Sequence, residues 1–308
     1  MADIRFDNRV AIVTGAGVGL GRSHALGLAQ RGAKVVINDL GVSRDGTGQS
    51  SDAALSVVAE IEAMGGEAFA HGADVSDEDA VKDMVAQTMD RWGRIDIAVN
   101  NAGILMDKTF AKMEMRAFRK VVDVHLIGTA NVCHACWPIM REQKYGRIAL
   151  TTSASGMYGN FGQSNYGAAK AGMLGLMNVL HMEGARDNIR VNTLAPTAAT
   201  RMTADLLPQQ AQELLAPETI TPGLLYLVSE EAPSQVILGA GAGSFAQTRI
   251  YETVGITLED GENTPEAVAA RWSDITDPAD QEQIPDAFGQ TKKYALNAAK
   301  ARGLKLDW

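Results

Sequence analysis

Val10-Ala11-Ile12-Val13-Thr14-Gly15-Ala16-Gly17-Val18-Gly19-Leu20-Gly21 is the stretch that decides the fold. Its first five residues are an apolar, mostly β-branched run, the composition of a strand covered on both faces. The glycines break that run, and from Gly19 to Arg31 apolar residues recur at helical spacing. A glycine-rich turn between strand and helix lets the backbone approach a pyrophosphate, which the helix's free N–H groups and dipole then hold. The strict G-x-G-x-x-G form fails, because Leu20 occupies its third glycine position when Gly15 leads. The T-G-x-x-x-G-x-G form fits at Thr14, Gly15, Gly19 and Gly21. Gly15, Gly17, Val18, Gly19, Leu20 and Gly21 are therefore candidate cofactor contacts.

The alternation continues outward from this unit. Strands are expected at 34–39, 68–71, 95–99, 147–151, 190–194 and 236–238, and helices at 52–64, 77–91, 118–142, 164–185 and 217–229. Apolar strands separated by helices mean a parallel sheet covered on both faces, an α/β doubly wound Rossmann fold that binds ligands at the carboxyl ends of its strands. Residues 1–243 read as this domain. Residues 244–308 break the alternation, with helical patterns only near 264–272 and 288–302. They are expected to form a helical extension packed on the domain or on a partner subunit, with Trp272 and Trp308 covered.

Composition sets the class. The chain has 308 residues, 46% hydrophobic and 21% charged, and a net charge of −9. That charge argues against an electrostatic nucleic-acid binder. No apolar stretch approaches the ~20 residues of a membrane helix, and residues 1–9 lack a signal-type apolar region, so a cytoplasmic protein with no membrane partner is expected. The only cysteines, Cys133 and Cys136, form a C-x-x-C beside His134. They fall within a long helical pattern, so they are read as small core residues rather than a redox pair or half of a zinc site; no metal is expected.

Asp39 closes the second strand. A carboxylate there accepts hydrogen bonds from an adenosine ribose and repels a 2′-phosphate, which favours NAD over NADP; Arg44 is the one nearby cation that would argue otherwise. Asp74 and Val75, just past the third strand, either border the adenine or introduce a helix capped by Ser76 or Asp77.

Tyr166 and Lys170 stand four residues apart at the start of a helix, hence on one face, and Ser153 lies just beyond the fifth strand. A carbonyl–alcohol interconversion needs a proton donor and acceptor beside the substrate oxygen. A tyrosine does this near neutrality only if its pKa falls by ~3 units, for which Lys170 and a positive nicotinamide are the expected causes. Ser153 can hold the substrate oxygen.

In this order the motifs resemble the short-chain dehydrogenase/reductase family over about residues 8–240. Asn100-Asn101-Ala102-Gly103 resembles its N-N-A-G motif, which places Asn101, Ala102 and Gly103 near the cofactor. Asn192-Thr193-Leu194-Ala195-Pro196 resembles the segment beside the nicotinamide, although Thr197 replaces the family's glycine. Where the family has an asparagine that anchors a water of the proton relay, this chain has His125 in Val124-His125-Leu126; it binds the same water or only fills the space. Asn131 is too far along to take that role.

Ile37-Asn38-Asp39-Leu40-Gly41, Lys144-Tyr145-Gly146-Arg147-Ile148, the run from Ser153 through Asn160-Phe161-Gly162-Gln163 to Tyr166, and Thr264-Pro265-Glu266-Ala267-Val268 are similar to the dehydrogenase domain of peroxisomal multifunctional enzymes of type 2. That resemblance implies NAD-dependent oxidation of (3R)-3-hydroxyacyl-CoA, a homodimer or homotetramer, and a link to 17-beta-hydroxysteroid oxidation. Leu306-Asp307-Trp308 is not a peroxisomal S-K-L address. The same machinery acting on a steroid or a 3-oxoacyl-carrier-protein is the alternative, and a non-catalytic NAD-binding protein the second. Arg201 and Arg249 are candidates for a local basic cluster facing the CoA phosphates.

Overall fold

The computed structural model describes residues 3–43, 46–48, 50–199, 208–259 and 261–308; Arg44 and Arg201 lie outside the described residues. The chain runs β1 (Val10–Thr14), α1 (Gly19–Ala29), β2 (Lys34–Asn38), α2 (Asp52–Ala63), β3 (Ala68–His71), α3 (Glu78–Trp92) and β4 (Ile97–Asn100). Then come α4 (Met115–Val122), a π-helical turn (Asp123–Ile127), α5 (Gly128–Gln143), β5 (Gly146–Thr151), α6 (Ala154–Tyr158), α7 (Ser164–Gly184) and β6 (Ile189–Pro196). After α8 (Gln209–Leu214) and α9 (Thr221–Leu227), β7 (Ile237–Gly241) and β8 (Ser244–Thr248) end the sheet; α10 (Pro265–Ala270), α11 (Trp272–Ile275) and α12 (Ala287–Ala301) follow.

The sheet order is β3-β2-β1-β4-β5-β6-β7-β8. The first seven strands pair in parallel, with Val13 opposite Ile37 on one side and Val99 on the other. Chain direction across the sheet reverses between β1 and β4, so their carboxyl ends open the crevice where such sheets take ligands. Side chains alternate along β1: Ala11 and Val13 join a core with α1, α2 and α9, whereas Ile12 joins the opposite core with α3, α5 and α7. Every residue of β1 is buried, the cause of its unbroken apolar run.

β8 was not anticipated. It follows β7 after the two-residue turn Ala242-Gly243, whose φ values of 49° and 73° are those of a type I′ hairpin, so β8 runs antiparallel. Its residues are almost all exposed, which removes the apolar signal of a strand.

Contacts divide the chain into two units, Met1–Gln247 and Thr248–Trp308. In the second, Lys293 Nζ donates to Glu252 Oε1 (2.9 Å) and to the Thr253 carbonyl (2.6 Å), and Phe288 packs on Trp308 at 5.6 Å between ring centroids. Ala299 is its only buried residue among those described. Trp272 and Trp308 are 60% and 50% exposed. So short a unit lacks the volume to enclose two indoles.

Cys133 and Cys136 are core residues of α5, as expected. Burial pushes the Cys133 thiol up to about 12, against a hydrogen bond from Asn100, and raises Cys136 as well. Neither is a thiolate near neutrality.

Candidate active site

The turn after β1 is built from backbone. Gly15 and Gly19 have φ values of 62° and 56°, conformations that favour glycine. A Cβ on Gly21 would lie 2.0 Å from the Gly15 carbonyl oxygen, so this close approach also requires glycine. The first turn of α1 has no side-chain cap at Val18 and no acidic residue. Its N–H groups are therefore free of the side-chain acceptors that usually satisfy a helix start.

Asn101 and Ala102 brace this turn. Asn101 Nδ2 donates to the carbonyls of Thr14 (3.1 Å) and Gly15 (3.0 Å), and the backbone N–H groups of both residues donate to Thr14 Oγ1 at 3.0 Å. Gly103 lies against His125: a Cβ there would sit 2.2 Å from the imidazole Cε1. Asp39 closes the other side, its carboxylate accepting from the N–H groups of Gly17 (2.7 Å) and Gly41 (2.8 Å). This ties the carboxylate to the glycine turn.

At the end of β3 the alternative readings separate. Asp77 caps α3, accepting from the N–H groups of Asp79 and Ala80. Asp74 accepts from the backbone and hydroxyl of Ser76 at 2.9 and 2.7 Å. Val75 is buried under α5, and its carbonyl accepts from Asn131 Nδ2 at 3.0 Å. Asn131 thus anchors a helix. Pro196 ends β6 opposite Ala240, at the same carboxyl edge of the sheet.

Ser153, Tyr166 and Lys170 converge at this edge. Ser153 leaves β5 and caps α6, accepting from the Ser155 N–H at 3.2 Å, and its hydroxyl is near enough to the Tyr166 phenol to lower its pKa. One helical turn on, Lys170 places Nζ 5.5 Å from the centre of the Tyr166 ring and donates to the Thr151 carbonyl. Lys170 is 2% exposed, and burial lowers its pKa to about 7. Of the two expected causes of a lowered Tyr166 pKa, only Lys170 belongs to the chain itself. Burial pushes the phenol above its ordinary value, Ser153 pulls it down, and the charge of Asp107 pushes it up again.

The π-helical turn between α4 and α5 carries His125, which is buried, and such turns recur at functional sites. Its ring meets the Tyr166 ring edge-on, centroids 5.1 Å apart. Nε2 lies 2.8 Å from the Ile104 carbonyl and 3.2 Å from the Ile104 N–H, so the tautomer sets whether it donates to the first or accepts from the second; Nδ1 is buried without a described protein partner. Burial, and then Lys170, hold its pKa well below the ordinary imidazole value, so the ring is neutral. No hydrogen bond joins it to Tyr166, Ser153 or Lys170 among the described contacts.

Sequence reasoning missed the segment that seats Tyr166. Asn165 Nδ2 donates to the Met106 carbonyl (3.0 Å), Gln163 Nε2 to Asp107 Oδ2 (2.8 Å), and the Lys108 N–H to the Gly162 carbonyl (2.9 Å). These partners are more than fifty residues apart, and no local pattern announces them.

Residues 9–211 match the family model described as short chain dehydrogenase. The chain belongs to the short-chain dehydrogenase family. This short-chain dehydrogenase is 46% identical over 277 residues to peroxisomal multifunctional enzyme type 2 of Mus musculus, across 89% of this chain and 37% of that protein. It superposes on the full-length peroxisomal multifunctional enzyme type 2 of Drosophila melanogaster with a TM-score of 0.81 at 36% identity, covering 97% of this chain and 50% of that one. A 7α-hydroxysteroid dehydrogenase solved with NADH and 7-oxo-glycochenodeoxycholic acid aligns with a TM-score of 0.71 at 30% identity, over 79% of this chain and 98% of that one. The protein is thus an oxidoreductase of a family acting on CH–OH groups, spanning only part of the multifunctional enzymes it matches. No helix among the described residues is long and apolar enough to cross a membrane.

Proposed function

We propose that this short-chain dehydrogenase uses NAD to oxidise the 3-hydroxyl of (3R)-3-hydroxyacyl-CoA to the 3-oxoacyl thioester. The observation that carries the chemistry is the gathering of Ser153, Tyr166 and Lys170 at the same sheet edge as an uncapped glycine turn. The substrate class is supported by the likeness to the multifunctional enzymes across nearly the whole chain.

The chain fits a dinucleotide. The uncapped start of α1 offers N–H donors to a pyrophosphate, and Asp39 offers a carboxylate to the adenosine ribose. Asn101 and Ala102 would hold the turn in shape, with Tyr166, Lys170 and Pro196 at the nicotinamide end. When bound, an oxidised nicotinamide would supply a hydride acceptor and a positive charge beside Tyr166.

The remaining steps belong to the protein. Ser153 Oγ donates to the substrate oxygen and fixes C3. Tyr166 Oη, as phenolate, takes the hydroxyl proton while the C3–H bond breaks, leaving a carbonyl. Lys170, when it carries its proton, favours the phenolate by holding an ammonium beside the Tyr166 ring. His125, neutral and against the Tyr166 ring, holds that ring in place and presents Nδ1 to a water.

Cofactor choice is tested at Asp39. Asp39→Ser removes the charge that excludes a 2′-phosphate, so the NAD-to-NADP ratio of kcat/KM is expected to fall by about tenfold, or ~1.4 kcal/mol. A wild-type protein that already prefers NADP overturns this reading of the loop. The substrate is tested with a steady-state panel of 3-hydroxyacyl-CoA, hydroxysteroids and acyl-carrier thioesters. The steroid reading has the 7α-hydroxysteroid dehydrogenase neighbour in its favour, and a steroid turned over with no rate on any thioester would establish it.

A further inference from the structure

In a chain of net charge −9, residues 107–120 hold five cations, Lys108, Lys112, Arg116, Arg119 and Lys120, against two acids, Asp107 and Glu114. All five cations are exposed. Both acids are already engaged, Asp107 with Gln163 and Glu114 with Arg116. No described residue pairs with Lys108, Lys112 or Arg119. Arg116, Arg119 and Lys120 stand at i, i+3 and i+4 of α4, on one face.

The strip is placed along the site. At one end the Lys108 N–H bonds the Gly162 carbonyl, four residues before Tyr166. At the other, Lys120 Nζ donates to the Gly46 carbonyl at 3.0 Å, in the loop that follows Asp39. The cations therefore run from the substrate end of the crevice toward its adenosine end, outside the glycine turn. Phe110, two residues after Lys108, and Phe161, next to Gly162, are 70% and 89% exposed. Unpaired cations beside bare aromatic rings at a site mouth suit a ligand with both phosphates and flat or apolar parts.

We propose that the Lys108–Lys120 strip holds the nucleotide end of the coenzyme A carrier, its cations meeting the pyrophosphate and 3′-phosphate. This rests on the acyl-CoA reading above and says where that carrier lies. Coenzyme A brings a charge of about −4, which a chain of net −9 does not attract globally. A local strip of opposite sign supplies the attraction, and the pantetheine arm then reaches inward past Phe161 to Tyr166. Arg201 and Arg249 are not required.

The test compares (3R)-3-hydroxydecanoyl-CoA with the same acyl group on pantetheine, which lacks the nucleotide. The wild type is expected to show a KM for the CoA thioester at least about tenfold lower, with similar kcat, and added salt should erode the difference. In Lys112→Glu/Arg116→Glu/Arg119→Glu the KM for the CoA thioester should rise about tenfold or more, while the pantetheine thioester and the KM for NAD stay unchanged. If the triple variant misfolds, the wild-type salt dependence alone decides. Equal KM for both thioesters in the wild type, without salt dependence, overturns the proposal and leaves the substrate reading standing. Turnover of neither thioester overturns both. A preference for an acyl-carrier-protein thioester over CoA assigns the strip to an acidic protein and also overturns the proposal.

Discussion

Tyr166→Phe is expected to lower kcat by about 10³-fold or more while leaving NADH affinity within about twofold. The substitution removes one oxygen. The ring stays wedged edge-on against His125, with Lys170 Nζ beside it, so the shape of the site survives. What disappears is the phenol beside Ser153 that takes the substrate proton. The measurement is steady-state turnover alongside a fluorescence titration with NADH. Retained turnover would remove Tyr166 from the chemistry; loss of NADH binding as well would make its role structural.

Gly21→Ala should also be damaging, by a different route. Inside an exposed helix the change would be favourable by about 1 kcal/mol. Here the new Cβ would lie 2.0 Å from the Gly15 carbonyl oxygen and 2.6 Å from Asn101 Nδ2. The first of these is backbone, and the second is the amide that braces the turn. The turn must open, at an overpacking cost of about 1–3 kcal/mol, and the N–H groups of α1 lose their alignment. A lower Tm and a cofactor affinity weakened at least about tenfold are expected. Gly175→Ala is the control, since nothing lies within 4 Å of its Cβ and α7 should tolerate it. Equal behaviour of the two variants would contradict this account of the glycine turn.

What could be read in the sequence follows from where each constraint resides. β1 is buried on both faces, so its apolar run and the glycines after it are local and legible. Tyr166 and Lys170 are one helical turn apart, so their pairing is fixed by spacing alone. β8 escaped because a polar edge strand has no core to record, and its turn uses Ala-Gly rather than the usual Asn-Gly or Asp-Gly pair. The pattern from 118 to 142 reads as one helix because the π-helical turn at Asp123–Ile127 inserts without interrupting the apolar residues. The upward shift of Tyr166 depends on burial and on Asp107, brought close through Gln163, and neither is visible in a window around Tyr166. Trp272 and Trp308 were expected to be covered from their size, and Ala299 is the only buried residue of their own unit among those described.

The most direct measurement presents the enzyme with (3R)- and (3S)-3-hydroxydecanoyl-CoA separately, each with NAD and with NADP, and follows formation of the reduced nicotinamide. The account predicts efficient reduction of NAD by the 3R isomer, a rate lower by about a hundredfold or more with the 3S isomer, and weaker use of NADP. The 3S hydroxyl cannot lie between Ser153 and Tyr166 while C3–H faces the hydride acceptor. Equal rates with both isomers, or no rate with either, would contradict it.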